Sequence, residues 1–252
     1  MDRTLIKNAK IYDGTGDRPF YGDVFLENGR IEAIGNNIKR EDCMIVDAVG
    51  KILTPGFINC HSHSELQPFL NPEMPQVVGQ GITTEIVGQD GLSVAPIDEK
   101  HMEELIENML PLCGKLDSLY PWHSHKEFME SVKKAEPAAH LVGLIGSGTI
   151  RMCVMGSENR FATEEEITQM CELLGQCMEE GARGLSFGLI YPPGSYASME
   201  EMTALCRVVA KYDGIVMVHV RNEMHLLKDS FEEMVTIMKE SGVRLEISHL
   251  KS

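Results

Sequence analysis

The sequence predicts an α/β protein: a small β segment over residues 1–54, then over residues 55–252 a series of parallel strands and crossover helices of the (β/α)8-barrel type. Three observations carry this. Apolar and polar residues alternate in TLIKNAKIYD, GDVFLENGRIEAIG and CMIVDAVGKI, the period of half-buried strands. Thr54-Pro55-Gly56 then punctuates the chain. After it, six short apolar runs (GFINC, TTEIVG, AHLVGLIG, ARGLSFG, GIVMVHV and VRLEISHL) are separated by helical stretches, which implies right-handed strand–helix–strand crossovers.

In the first segment Asn28-Gly29 lies between two alternating runs and predicts a tight hairpin within a sheet of four or five strands. In the second, helix starts are legible as Ser or Thr followed three residues later by Glu: Thr163/Glu166, Ser198/Glu201 and Ser230/Glu233. Residues 96–138 read as a helical insertion holding Pro111, Pro121 and the single tryptophan, Trp122, a candidate pocket wall. About six barrel strands fit before Ser252 where a closed barrel has eight, so the sequence reads as a barrel truncated after about six strands.

A net charge of −15 lacks the basic footprint of a nucleic-acid binder or of a polybasic membrane-surface module. Hydrophobic residues at 43% and charged residues at 24% fit a globular chain. The seven cysteines (Cys43, Cys60, Cys113, Cys153, Cys171, Cys177 and Cys206) are odd in number and form no CxxC pair, which points to reduced thiols. With no apolar leader in MDRTLIKNAK and no run long enough to span a bilayer, a cytoplasmic protein is expected.

Chemistry concentrates at the strand ends. His61 and His63 follow the first barrel run, and one intervening residue aims both the same way if the strand continues. His219 ends IVMVH and His249 ends LEISH. Singly, each is more often a core or surface histidine. Four imidazoles at the ends of three parallel strands would converge at one barrel mouth, where zinc ligands belong. Asp90, between glycines after the second strand, is a further ligand candidate, although Asp-Gly also suits an ordinary turn. Tyr191 sits in the stiff loop YPPGSY, and Lys251 shares a side with His249 if that strand runs on; both suit substrate contact. His101, His123, His125, His140 and His225 read as surface or structural. No phosphate-binding glycine motif is present.

In order, PGFINCHSHSE, GITTEIVGQDGLSVAP, GLSFGLIYPPGSYAS, VHVRNE and ISHLKS closely resemble the D-aminoacylase (N-acyl-D-amino-acid deacylase) branch of the amidohydrolase superfamily along nearly the whole chain. The resemblance implies a metal-dependent-hydrolase TIM barrel with a small β-sandwich, one or two zinc ions, and hydrolysis of the amide joining an acyl group to a D-amino acid, a small-molecule substrate. It implies His61 and His63 at one metal position, His219 and His249 at the other, usually tighter one, and Lys251 and Tyr191 at the substrate. Asp90 stands where many members carry a cysteine ligand, and Asn59 where the family often has Asp. The family's general-base aspartate is expected beyond Ser252, so the 252 residues alone are expected to be inactive. Two alternatives stand beside this reading: another amidohydrolase reaction on cyclic amides or ureides, and a non-catalytic fragment. Against the first, GLSFG lacks the lysine those relatives use on their fourth strand.

Overall fold

The computed structural model describes residues 3–114 and 122–251. It divides into two compact units, Met1–Phe57 and Ile58–Ser252. In the first, β1 (Arg3–Ile11), β2 (Phe20–Glu27), β3 (Arg30–Gly35), β4 (Met44–Asp47) and β5 (Ile52–Leu53) form one sheet in the order β3-β2-β1-β4, with β5 also paired to β1. β2 and β3 make the hairpin expected at Asn28-Gly29, both residues taking positive φ (51° and 74°), as a two-residue turn requires to match strand twist. Ala9, Ile11, Val24 and Ala48 are buried, whereas Ile31, Ile34, Ile45 and Ile52 stay exposed. Among the described residues this unit is a single layer, one sheet of the incomplete sandwich that the resemblance implies. Alternation predicts that a strand has an apolar face but not what covers it.

The second unit runs β6 (Phe57–Asn59), α1 (Gln67–Leu70), α2 (Pro75–Val78), β7 (Ile82–Val87), α3 (Met102–Cys113), α4 (His125–Ala135), β8 (His140–Gly143), β9 (Ile145–Gly146), α5 (Ser147–Met155), α6 (Glu164–Glu179), β10 (Gly184–Gly188), α7 (Met199–Lys211), β11 (Ile215–His219), α8 (Leu227–Ser241) and β12 (Arg244–Ile247). The six apolar runs become seven strands in two sheets, β6-β7-β8 and β9-β10-β11-β12. The run HLVGLIG divides at Leu144, whose N–H donates to Val87 O, so β8 stays with β7 while β9 pairs with β10. The registered pairs of this unit are parallel. Neighbours follow chain order, as in a barrel, but no closed barrel forms among the described residues. No described helix is long and apolar enough to cross a membrane.

Burial fixes these elements. Leu185, Phe187, Val216 and Val218 pack with Met170 and Leu174 of α6 and Met202 and Leu205 of α7 in one core cluster. Trp122, the expected pocket wall, is instead buried in a second cluster, its ring 4.9 Å from Phe69 and 5.1 Å from Phe128. Pro111 lies inside α3, and Pro121 falls outside the described residues.

Of the three predicted helix starts, one forms in full. Thr163 and Glu166 cap α6 reciprocally. Ser198 accepts the Glu201 N–H, but the Glu201 carboxylate turns instead to Arg151 at 2.5 Å, both side chains almost wholly buried. Ser230 caps nothing: α8 begins at Leu227, Ser230 Oγ accepts the Asn222 N–H, and Glu233 pairs with Arg221. In both failures a tertiary partner outcompetes the local one.

His125 opens α4 with its ring buried against Gly143, and burial lowers its pKa to about 4 despite the nearby charge of Glu180. An unfolded histidine binds its proton near 6.5. Between these values the unfolded chain holds more protons, so stability present above pH 6.5 is lost as pH falls toward 4, by on the order of 3 kcal/mol. Urea unfolding of wild type and His125→Met across this range checks it. The wild type should show the steeper loss; equal slopes contradict it.

Candidate metal centre

The five residues that the sequence singles out as ligands come together. His219 is the last residue of β11, His249 lies two residues past β12 at φ 31°, and Asp90 follows β7 at φ 54°. His61 and His63 lie beyond β6, in a loop rather than on a continuing strand, so strand alternation is not what aligns them. Glu85 does much of that. From within β7 its buried carboxylate accepts Asn59 Nδ2 at 3.1 Å, Ser62 Oγ at 3.0 Å and Ser64 Oγ at 2.6 Å, which fastens the loop on both sides of the two histidines. Asn59 Oδ1 accepts the His61 N–H. The turn carrying Asp90 is pinned through Ser186 of β10, whose Oγ donates to Gly88 O at 2.6 Å and accepts the Gly91 N–H at 2.9 Å.

Asp90 is the centre of the cluster, and its two oxygens face different partners. Oδ2 lies 3.3 Å from His61 Nε2 and 3.3 Å from His63 Nε2. Oδ1 lies 3.2 Å from His249 Nε2 and 3.6 Å from His219 Nδ1. Burial alone would raise its pKa, but the imidazoles of His219, His61 and His63 outweigh burial and hold the carboxyl well below the usual carboxylate range. For His63 burial pulls the pKa down, and the hydrogen bond to Asp90 with the charges of Glu65 and Asp90 turns the balance upward. Tyr191, its ring 5.3 Å from that of His219, has its phenol pushed up by burial and then by the charge of Asp90.

This donor set fits a metal ion. Each Asp90 oxygen completes a group of two imidazoles and one carboxylate whose ligand atoms lie within 4.8 Å of one another. Nitrogen and oxygen donors in threes are what a catalytic zinc takes from a protein. Among the described residues both ring nitrogens of His219 are buried without a hydrogen-bond partner, as expected where a lone pair is kept for coordination.

Lys251 is exposed, its Nζ 3.5 Å from His249 Nδ1 and 3.3 Å from Glu223 Oε1. It reaches this position although β12 ends at Ile247 and the strand does not run on. The remaining histidines stay apart from the cluster: His101 pairs with Asp98, His123 Nδ1 lies by Ile97 O, His125 is buried, and His140 and His225 are exposed. Sequence reasoning missed Glu85, Arg221 and Glu223. The signals were a carboxylate inside the apolar run ITTEIV, and two charges directly after His219.

No family model matches the chain. It is 31% identical to an N-acyl-D-aspartate deacylase of Alcaligenes xylosoxydans over 98% of its own length and 49% of that relative. It is 30% identical to a D-aminoacylase of the same organism over 98% of its length and 50% of that relative. A solved D-aminoacylase, described as having a binuclear metal centre, superposes with a TM-score of 0.88 at 28% identity, covering 98% of this chain and 51% of the other. The N-acyl-D-glutamate deacylase of Bordetella bronchiseptica, solved with zinc and a phosphonate inhibitor, gives 0.87 at 30% identity, covering 96% and 50%. The chain spans about half the length of the curated relatives it matches. Over nearly its whole length the chain is thus similar to D-aminoacylases and related N-acyl-D-amino-acid deacylases.

Proposed function

We propose that this chain supplies the metal centre of a zinc-dependent deacylase that hydrolyses N-acyl-D-amino acids to a carboxylate and a free D-amino acid. The observation that carries the reading is the placement of Asp90, one oxygen toward His61 and His63 and the other toward His219 and His249. Asp90 would hold one ion together with His61 and His63 and another together with His219 and His249, and the zinc of the Bordetella relative supports the choice of metal. A zinc held in this set supplies water activation near neutral pH and polarisation of the scissile carbonyl. Around it, Lys251 offers an ammonium to the substrate carboxylate and Tyr191 a phenolic donor beside His219. The seven free cysteines support a reducing compartment, the cytoplasm.

Hydrolysis of cyclic ureides through a carbamylated lysine fits poorly. β10 ends at Gly188, where an added Cβ would lie 1.9 Å from Asp90 O, so no side chain has room there. The function is tested by release of free D-amino acid from N-acetyl-D-amino acids by the zinc-loaded chain extended to the length of its relatives, before and after chelation, beside the 252 residues alone. Zinc-dependent release is expected from the extended chain and none from the 252 residues; zinc binding with no release by the extended chain from any N-acyl-D-amino acid contradicts the reading.

The two positions should differ in strength. His219 is the most buried of the four histidines, and Glu223 lies against both it and His249. Zinc content of purified His219→Ala and His249→Ala should therefore fall further than that of His61→Ala. Equal or greater loss in His61→Ala reverses the ranking.

A further inference from the structure

We propose that Glu223 is a positioning residue of this centre, accepting a hydrogen bond from His249 Nδ1 and so fixing Nε2 as the ligating edge. The proposal rests on the metal reading above and adds a residue to it. His249 Nε2 lies 3.2 Å from Asp90 Oδ1, and Nδ1 lies 3.3 Å from Glu223 Oε1 and 3.5 Å from Lys251 Nζ, whose ammonium is itself paired with that Glu223 oxygen at 3.3 Å. A neutral imidazole carries one N–H. If its Nε2 lone pair is to face a metal, the proton belongs on Nδ1, and an acceptor there fixes both tautomer and ring orientation.

Glu223 is built to stay in place. Its side chain is largely buried, and the same Oε1 lies 3.5 Å from His219 Nε2 and 3.3 Å from Lys251 Nζ. The loop that carries it is tied at both sides. Arg221 donates to Ser195 O at 2.9 Å and Ala197 O at 3.2 Å while pairing with Glu233 at 3.0 Å. Asn222 Oδ1 accepts the N–H groups of Met224 and Leu226. These bonds leave the carboxylate little freedom to swing away from His249.

The test is zinc affinity by chelator competition, with the visible spectrum of the cobalt-substituted protein as a second readout. Outer partners of metal-bound histidines typically contribute about 10–100-fold in affinity. Glu223→Ala should bind zinc that much more weakly, with an altered cobalt spectrum. Glu223→Gln keeps an oxygen acceptor at Nδ1, so it should lose less and retain the wild-type spectrum. In a His249→Ala background Glu223→Gln should cost less than it does in the wild-type background, because the share of its effect that passes through the His249 ring is gone. Should Glu223→Ala fail to fold, the Gln variant and the double variant decide the matter. Wild-type affinity in Glu223→Ala, losses in Glu223→Gln equal to those in Glu223→Ala, or additive losses in the double variant overturn the proposal. A wild-type protein that binds no zinc overturns the metal reading itself.

Discussion

Replacing Asp90 with alanine should strip zinc from both positions at once. No histidine substitution should do so, because each histidine faces one carboxylate oxygen only. Structural zinc held by four protein ligands carries roughly 10–16 kcal/mol of apparent binding free energy, so losing one of the three protein donors at a position here should weaken binding by at least about two to three orders of magnitude. Asp90→Ala takes that loss twice. His61→Ala should take it at one position and His249→Ala at the other. Asp90→Asn keeps the size but loses the charge, and should also bind less zinc. Asp90→Cys restores the thiolate that the family resemblance places here, and should retain it. Metal analysis of the dialysed variants reads these outcomes. Full retention of one ion in Asp90→Ala would show that the carboxylate serves a single position.

Replacing Gly188 with alanine should damage fold and site together. Its Cβ would meet Asp90 O at 1.9 Å and Tyr191 Cε2 at 2.6 Å. Neither can yield cheaply. The Asp90 turn is held by Ser186 on both sides, by the Leu92 N–H on Gln89 O, and by the Gly148 N–H on Gly91 O. Overpacking of this kind typically costs about 1–3 kcal/mol, and contact with backbone rather than a flexible side chain puts Gly188 at the upper end. What relief the chain finds comes from moving Asp90, so zinc affinity should fall by at least about tenfold with the displaced ligand. Gly175, inside α6, provides the contrast: the nearest atom to its added Cβ is Tyr212 Oη at 4.0 Å. Gly175→Ala should stabilise by about 1 kcal/mol through helix propensity alone. Urea unfolding of both variants, with zinc competition on each, checks the pair. A Gly188→Ala protein with wild-type stability and affinity contradicts this account of the turn.

The clustering of His61, His63, Asp90, His219 and His249 was legible because each stands where packing alone would place something else. His219 and His249 terminate apolar runs, and His61, His63 and Asp90 follow others closely. The Asn28-Gly29 hairpin and the Thr163 cap were legible because their chemistry is local. What the sequence hid is long-range. Glu85 reads as an odd charge in a strand until Ser62 and Ser64 arrive from more than twenty residues away. Ser230 and Glu233 show a cap pattern, yet Asn222 and Arg221 take their side chains. Glu223 gains its meaning only when His249 and Lys251 meet it from the end of β12. The break at Leu144 depends on which strand claims its N–H, a choice that apolar periodicity does not encode.

The central claim is that Asp90 bridges two metal positions, and zinc-edge anomalous scattering from crystals grown with zinc tests it most directly. The account predicts two peaks, each within about 2.0–2.2 Å of a different Asp90 oxygen. One should be flanked by His61 and His63, the other by His219 and His249. Zinc bound elsewhere, with the Asp90 carboxylate left hydrogen-bonded among its four histidines, would contradict it.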